Sequence, residues 1–203
     1  MGLDHGPPAL MYLPPHPKWL VVTLHGAGGR ASDGLRLLRG RADGNGLLLL
    51  APQSVAGTWD LLLDGYGPDI DRISDALRRV LATYPLSGSL AIGGFSDGAS
   101  YALSLGITNG DLFDRVIAFS PGFMSPMSRL GTPSVYVSHG RQDRVLPIDR
   151  CSRRIVPALR EAGYDVEYQE FDGGHVVPEE VVSAAVDWLA SDTTEGGPKG
   201  RPQ

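Results

Sequence analysis

The chain has 203 residues, 42% of them hydrophobic and 20% charged, and a net charge of -5. These figures predict one globular domain and exclude a disordered chain, and the acidic balance argues against nucleic acid as a partner, since binding it needs a basic field. Cys151 is the only cysteine, which excludes an intrachain disulfide and any cysteine-built metal site.

No run reaches the roughly 18 to 20 apolar residues of a membrane span. The start, MGLDHGPPAL, has an acid and prolines where a signal peptide needs basic residues and an apolar stretch, so a soluble, cytoplasmic protein is expected. Residues 1–8 read as a loose terminus, and 191–203, polar and rich in Gly and Pro, as a disordered tail. The domain is expected over residues 9–190.

In chain order, ALMYL (9–13) reads as an edge strand. WLVVTLH (19–25), GLLLLAP (46–52), SLAIGGF (89–95), RVIAFS (115–120) and SVYVSHG (134–140) are mostly unbroken apolar runs, as expected for strands covered on both faces. DVEYQEF (165–171) alternates instead and is predicted at a sheet edge. Between the strands, 69–84 places Ile70, Ile73, Leu77, Val80 and Leu81 on one helical face. Residues 97–106 form a second helix directly after a strand. Residues 149–162 form a weaker one, because Pro157 should break or kink it. Residues 178–190 open with Pro178, Glu179 and Glu180, a favourable first turn. Strands alternating with helices predict an α/β fold: a doubly wound, mostly parallel sheet with helices on both faces. Chemistry in such sheets sits at the carboxyl ends of the strands.

Gly94-Phe95-Ser96-Asp97-Gly98 fits G-x-S-x-G at a strand-to-helix junction, the setting of a nucleophile elbow. A serine hydroxyl needs a base within hydrogen-bond reach. His175, in the Gly-flanked loop DGGHVVP, is the best placed; His25 and His139 are rivals, the first read as backbone support and the second as lying inside a strand. The base needs an acid to fix its tautomer. Asp143, in SHGRQDRVLP, follows the strand between serine and histidine. Its rivals are Asp172, expected to cap its own loop, and Asp149, expected to cap the next helix. The oxyanion donors are expected to be the backbone N–H groups of Ala27 and Asp97, with the Asp97 carboxylate structural and turned away in the first helical turn. Trp59, Leu62, Tyr66, Phe123 and Val176 flank strand ends and are candidates to line the substrate pocket.

Two further readings are weak. Gly26-Ala27-Gly28-Gly29-Arg30-Ala31 fits the dinucleotide pattern G-x-G-x-x-A, but the next strand ends in Ala51-Pro52-Gln53-Ser54 without the ribose-binding acid. His25, His139 and His175 lack helical metal-ligand spacing. The expected chemistry therefore uses no metal and no organic cofactor.

LHGAGG (24–29), GGFSDGA (93–99), AFSPGF (118–123), SHGRQDRVLP (138–147) and FDGGHVVP (171–178) together resemble the α/β-hydrolase superfamily, and most closely its small phospholipase/carboxylesterase branch, which includes acyl-protein thioesterases. The resemblance covers about residues 9–190. It implies a minimal fold without a cap domain, and a serine hydrolase acting on small-molecule carboxylic esters of short to medium acyl chain. Ser96, His175 and Asp143 would serve as nucleophile, base and acid. Thioesterase members usually carry Gln after the serine, where this chain has Asp97, which favours a simple carboxylesterase over acyl-protein specificity. Thioesterase or lysophospholipase activity, and a non-catalytic binding module, remain the alternatives. Oligomeric state is not legible.

Overall fold

The structure is a computed structural model and describes residues 9–62, 67–84 and 89–191. Seven strands form one sheet: β1 (Leu10–Tyr12), β2 (Trp19–Leu24), β3 (Leu47–Ala51), β4 (Leu90–Phe95), β5 (Arg115–Phe119), β6 (Ser134–Gly140) and β7 (Val166–Phe171). Their order is β1-β3-β2-β4-β5-β6-β7, with β1 antiparallel to β3 and every other pair parallel. The seven predicted strands are all present, β1 and β7 at the two edges.

Among the described residues six helices surround the sheet: α1 (Ala31–Arg39), α2 (Ala42–Asn45), α3 (Pro68–Thr83), α4 (Asp97–Thr108), α5 (Ser152–Glu161) and α6 (Glu179–Ser191). Two buried clusters follow from the period of two along each strand. Leu20, Val22 and Leu24 of β2 share one face with Ile92, Val137 and the inward residues of α3, α4 and α5. Trp19 and Val21 share the other with Ala91, Ile117, Tyr136 and the inward residues of α1, α2 and α6. Burial on both faces is why the central strands read as continuous apolar runs.

Three details differ from the sequence reading. The pattern over 31–39 gave no helix, yet α1 forms there, with Asp33 accepting the Arg30 N–H at 2.7 Å and Arg39 in the last turn. Pro157 does not break α5, which runs unbroken from Ser152 to Glu161. Pro157 and Arg153 both face solvent, so water can bond the Arg153 carbonyl that loses its helical donor. Finally, Ser191 ends α6 rather than opening a tail. The predicted loose terminus 1–8 and the rest of the tail, 192–203, lie outside the described residues.

The chain winds from β2 to β3 in one direction along the sheet and from β4 to β7 in the other. The reversal places the carboxyl ends of β2 and β4 side by side, Leu24 opposite Gly94. That is the switch point where open α/β sheets bind ligands.

Candidate active site

Ser96 sits between β4 and α4 with φ 58° and ψ -118°, a left-handed backbone that few residues other than glycine adopt. The sharp turn brings α4 against β2. A Cβ at Gly98 would lie 2.4 Å from the carbonyl oxygens of Leu24 and His25, and one at Gly94 would lie 2.5 Å from Gly98 itself. Both glycines of G-x-S-x-G are therefore required by close approach. The Ser96 N–H donates to Phe119 O at 2.9 Å, and its C=O accepts the Ala99 and Ser100 N–H groups, which fixes the elbow on both sides.

His175 Nε2 lies 2.8 Å from Ser96 Oγ, and His175 Nδ1 lies 2.6 Å from Asp143 Oδ2. The carboxylate side fixes the tautomer: Nδ1–H donates to Asp143, which leaves the Nε2 lone pair free to accept the serine proton. The imidazole also packs against the Phe95 ring, centroids 4.7 Å apart. The loops carrying Asp143 and His175 are tied backbone to backbone, Arg141 N–H to Phe171 O and Gln142 N–H to Gly173 O, both at 2.9 Å.

Asp143 is buried, and burial works against its charge. The Leu146 N–H, the His175 ring and the Val145 N–H outweigh that and hold the carboxyl below the usual aspartate range. Its two rivals are engaged elsewhere. Asp172 pairs with Arg141 at 2.9 Å rather than capping its own loop, because the guanidinium across the β6–β7 edge is a stronger partner than a neighbouring N–H. Asp149 lies in the short 3-10 turn Ile148–Arg150 and pairs with Arg153 at 2.7 Å, so the start of α5 has no side-chain cap.

His25 is buried behind the turn after β2. Its Nε2 accepts the Ser54 N–H at 3.2 Å, so Nδ1 carries the proton and donates to Gly26 O at 2.8 Å. Gly29 N–H closes the turn onto Gly26 O at 3.0 Å, with Gly28 at φ 70°. Ala27 stands exposed at its tip. Asp97 opens α4, whose N-terminus carries partial positive charge. The Asp97 side chain is buried and accepts from Thr58 Oγ1 and, at 3.2 Å, from the Trp59 N–H, so it clasps the loop after β3 to the elbow. Burial raises the affinity of this carboxyl for its proton, against the two hydrogen bonds and the nearby His25.

Trp59 does not line a pocket. It is 0% exposed, stacked between the rings of His25 and Tyr101, and its indole N–H donates to His25 O at 2.8 Å. It supports the turn that carries Ala27, and burial of so large a side chain leaves nothing for a ligand to touch. Phe123 is half-buried beside the elbow, because the Gly122 and Phe123 N–H groups both donate to Ser100 Oγ. Val176 is 52% exposed next to His175, and Val145, two residues past Asp143, is 66% exposed. Leu62 closes the 3-10 turn Asp60–Leu62, but its side chain and all of Tyr66 lie outside the described residues. Among the described residues no group of three or more His, Cys, Asp or Glu could hold a metal ion, and no helix is long and apolar enough to cross a membrane.

No curated protein matches the chain. The fold recurs in many solved structures. Esterase PE8 is 25% identical, with a TM-score of 0.74 over 90% of this chain and 96% of that one. A phospholipase/carboxylesterase from Dyadobacter fermentans is 20% identical, with a TM-score of 0.70 over 92% and 97%. Acyl-protein thioesterase 2 from Zea mays is 19% identical, with a TM-score of 0.65 over 90% and 97%. The last two likenesses carry the fold alone. The sequence profile of the phospholipase/carboxylesterase family matches residues 69–192, which include the Ser96 elbow and the loops of Asp143 and His175. The chain belongs to that family and is a carboxylesterase-type hydrolase with an α/β-hydrolase fold.

Proposed function

We propose that the protein hydrolyses small carboxylic esters of short to medium acyl chain through an acyl-enzyme intermediate. The observation that carries this reading is the unbroken relay from Ser96 Oγ to His175 to Asp143 at a left-handed elbow. Ser96 Oγ attacks the ester carbonyl while His175 Nε2 takes its proton. Asp143 steadies the resulting imidazolium. The negative oxygen meets the N–H groups of Ala27 and Asp97, aided by the α4 N-terminus. The carbon–oxygen bond to the alcohol then breaks, and His175 returns the proton to the leaving oxygen. Water repeats the sequence on the acyl-enzyme: His175 removes its proton, the acid leaves, and Ser96 regains its hydrogen.

Val176 and Val145, exposed apolar side chains within two residues of His175 and Asp143 in the chain, and half-buried Phe123 are the candidates to receive a modest acyl chain. No step calls for a metal or organic cofactor. The test is hydrolysis of nitrophenyl esters from acetate to laurate, with labelling by a fluorophosphonate probe. Ser96→Ala is expected to lose about 10³-fold or more in kcat and all labelling, with an unchanged melting curve. Retained turnover in that variant refutes the nucleophile, and a maximum at laurate refutes the chain length.

A further inference from the structure

Behind the relay stands a second histidine that the mechanism above does not use. His139 lies in β6 with no exposed surface. The period of two puts it on the same sheet face as Val135 and Val137, toward α5. Its Nδ1 is 2.7 Å from Ser152 Oγ, at the first residue of α5. Its Nε2 is 2.8 Å from Leu146 O and 3.3 Å from Asp143 Oδ2.

These partners assign the tautomer. A carbonyl and a carboxylate only accept, so the proton is on Nε2, and Nδ1 accepts from the Ser152 hydroxyl. Burial lowers the tendency of His139 to take a second proton, so the ring is a neutral donor. Leu146 is then held at both ends: its C=O accepts from His139, and its N–H donates to Asp143 Oδ1 at 2.8 Å. Oδ1 also takes the Val145 N–H at 2.9 Å. Oδ2 faces His175 on one side and His139 on the other.

We infer that His139 is a positioning residue for the acid of the relay: it pins the 143–146 turn and presents Asp143 Oδ2 to His175 in one orientation. The inference rests on the relay proposed above. The ionisable groups facing His139 are Asp143 and, beyond it, His175. Cys151, at the start of α5, faces Asp143, with Arg150 and Arg154 near it.

Two consequences separate positioning from packing. Loss of the ring loosens the carboxylate, which slows the proton relay and so lowers kcat rather than raising KM. Loss of the N–H dipole aimed at Asp143 also leaves more negative charge to favour an imidazolium at His175, so the acid limb of the kcat/KM profile moves to higher pH.

The test compares His139→Leu, His139→Gln and Ser152→Ala in the full chain, using nitrophenyl butyrate and thermal melting, with Ser96→Ala as control. His139→Leu is expected to lose about tenfold in kcat, the effect of one hydrogen bond to a charged group, with KM within about twofold and the acid limb raised by about half a pH unit. His139→Gln keeps an N–H near the Nε2 position and restores kcat to within about threefold. Ser152→Ala frees the tautomer and loses about threefold, with a smaller shift of the limb in the same direction. Wild-type kcat and an unmoved limb in His139→Leu overturn the inference. So does equal loss in the Leu and Gln variants. If His139→Leu does not fold, an unchanged kcat and pH profile in Ser152→Ala overturns it. Wild-type turnover that survives Ser96→Ala removes the relay itself, a separate failure.

Discussion

Replacing Trp59 with Phe tests whether this residue supports the turn of Ala27, the proposed oxyanion donor, or touches substrate. The indole has no exposed surface and sits between the rings of His25 and Tyr101 at 4.8 and 5.3 Å. Phe keeps one ring of the stack and loses the N–H that donates to His25 O at 2.8 Å. A buried carbonyl without its donor costs about 1–3 kcal/mol. The part of the indole not refilled adds about 1 kcal/mol as a cavity. The sum is about 2–4 kcal/mol, and at about 2–4 °C per kcal/mol for a chain this size the melting temperature falls by roughly 4–16 °C. The His25 carbonyl leads directly into the turn that presents Ala27, so kcat should fall several-fold while KM holds. Differential scanning fluorimetry and steady-state kinetics on a nitrophenyl ester measure both. An unchanged melting temperature with a raised KM would mean that Trp59 faces the ligand, and the support argument would be wrong.

Gly98→Ala places a methyl group 2.4 Å from two backbone oxygens that cannot move apart without shifting β2 from α4. It should destabilise by about 3 kcal/mol or more and lower the urea midpoint, with fluorophosphonate labelling lost in the folded fraction. Glu170 gives a pH dependence. Its hydrogen bond from Arg153, opposed by burial and helped by Tyr168 and Arg141, pulls its carboxyl down to about 2. The folded value lies below the unfolded one of about 4.3, so this contribution to stability is complete above that pH and fades as pH falls toward 2. Glu170→Gln should therefore lower stability at pH 6 and flatten its decline between about pH 4.5 and 2, as read by urea titrations across that range.

The strands were legible because double coverage writes itself as long apolar runs, and the elbow because close backbone approach demands glycine at fixed spacing. Ser96, Asp143 and His175 could be picked out by residue type, motif and place past a strand taken together. The structure brings these three together, whereas their catalytic roles remain the proposal above. What the sequence hid were partnerships across space. ASDGLRLLR (31–39) contains Gly34 and follows an unusual N-cap, Arg30, so local propensity argues against the helix that packing onto β2 and β3 supplies. Trp59 beside a strand end is compatible with either a pocket wall or a buttress, and only the stack with residues 34 and 42 positions away decides. The tie from Asp97 to Thr58 spans 39 positions and carries no motif. His139, set aside as a strand residue, met Ser152 and Leu146 only once α5 had docked.

The histidine of the relay hangs from β7, and among the described residues β7 is bonded to the sheet only through β6. Edge elements held on one side open before the interior does. Peeling this single strand would withdraw the imidazole from Ser96 while the other six strands stayed paired. Ester turnover should then vanish at denaturant concentrations where far-ultraviolet ellipticity is still native, which makes activity a reporter of partial opening rather than of global collapse.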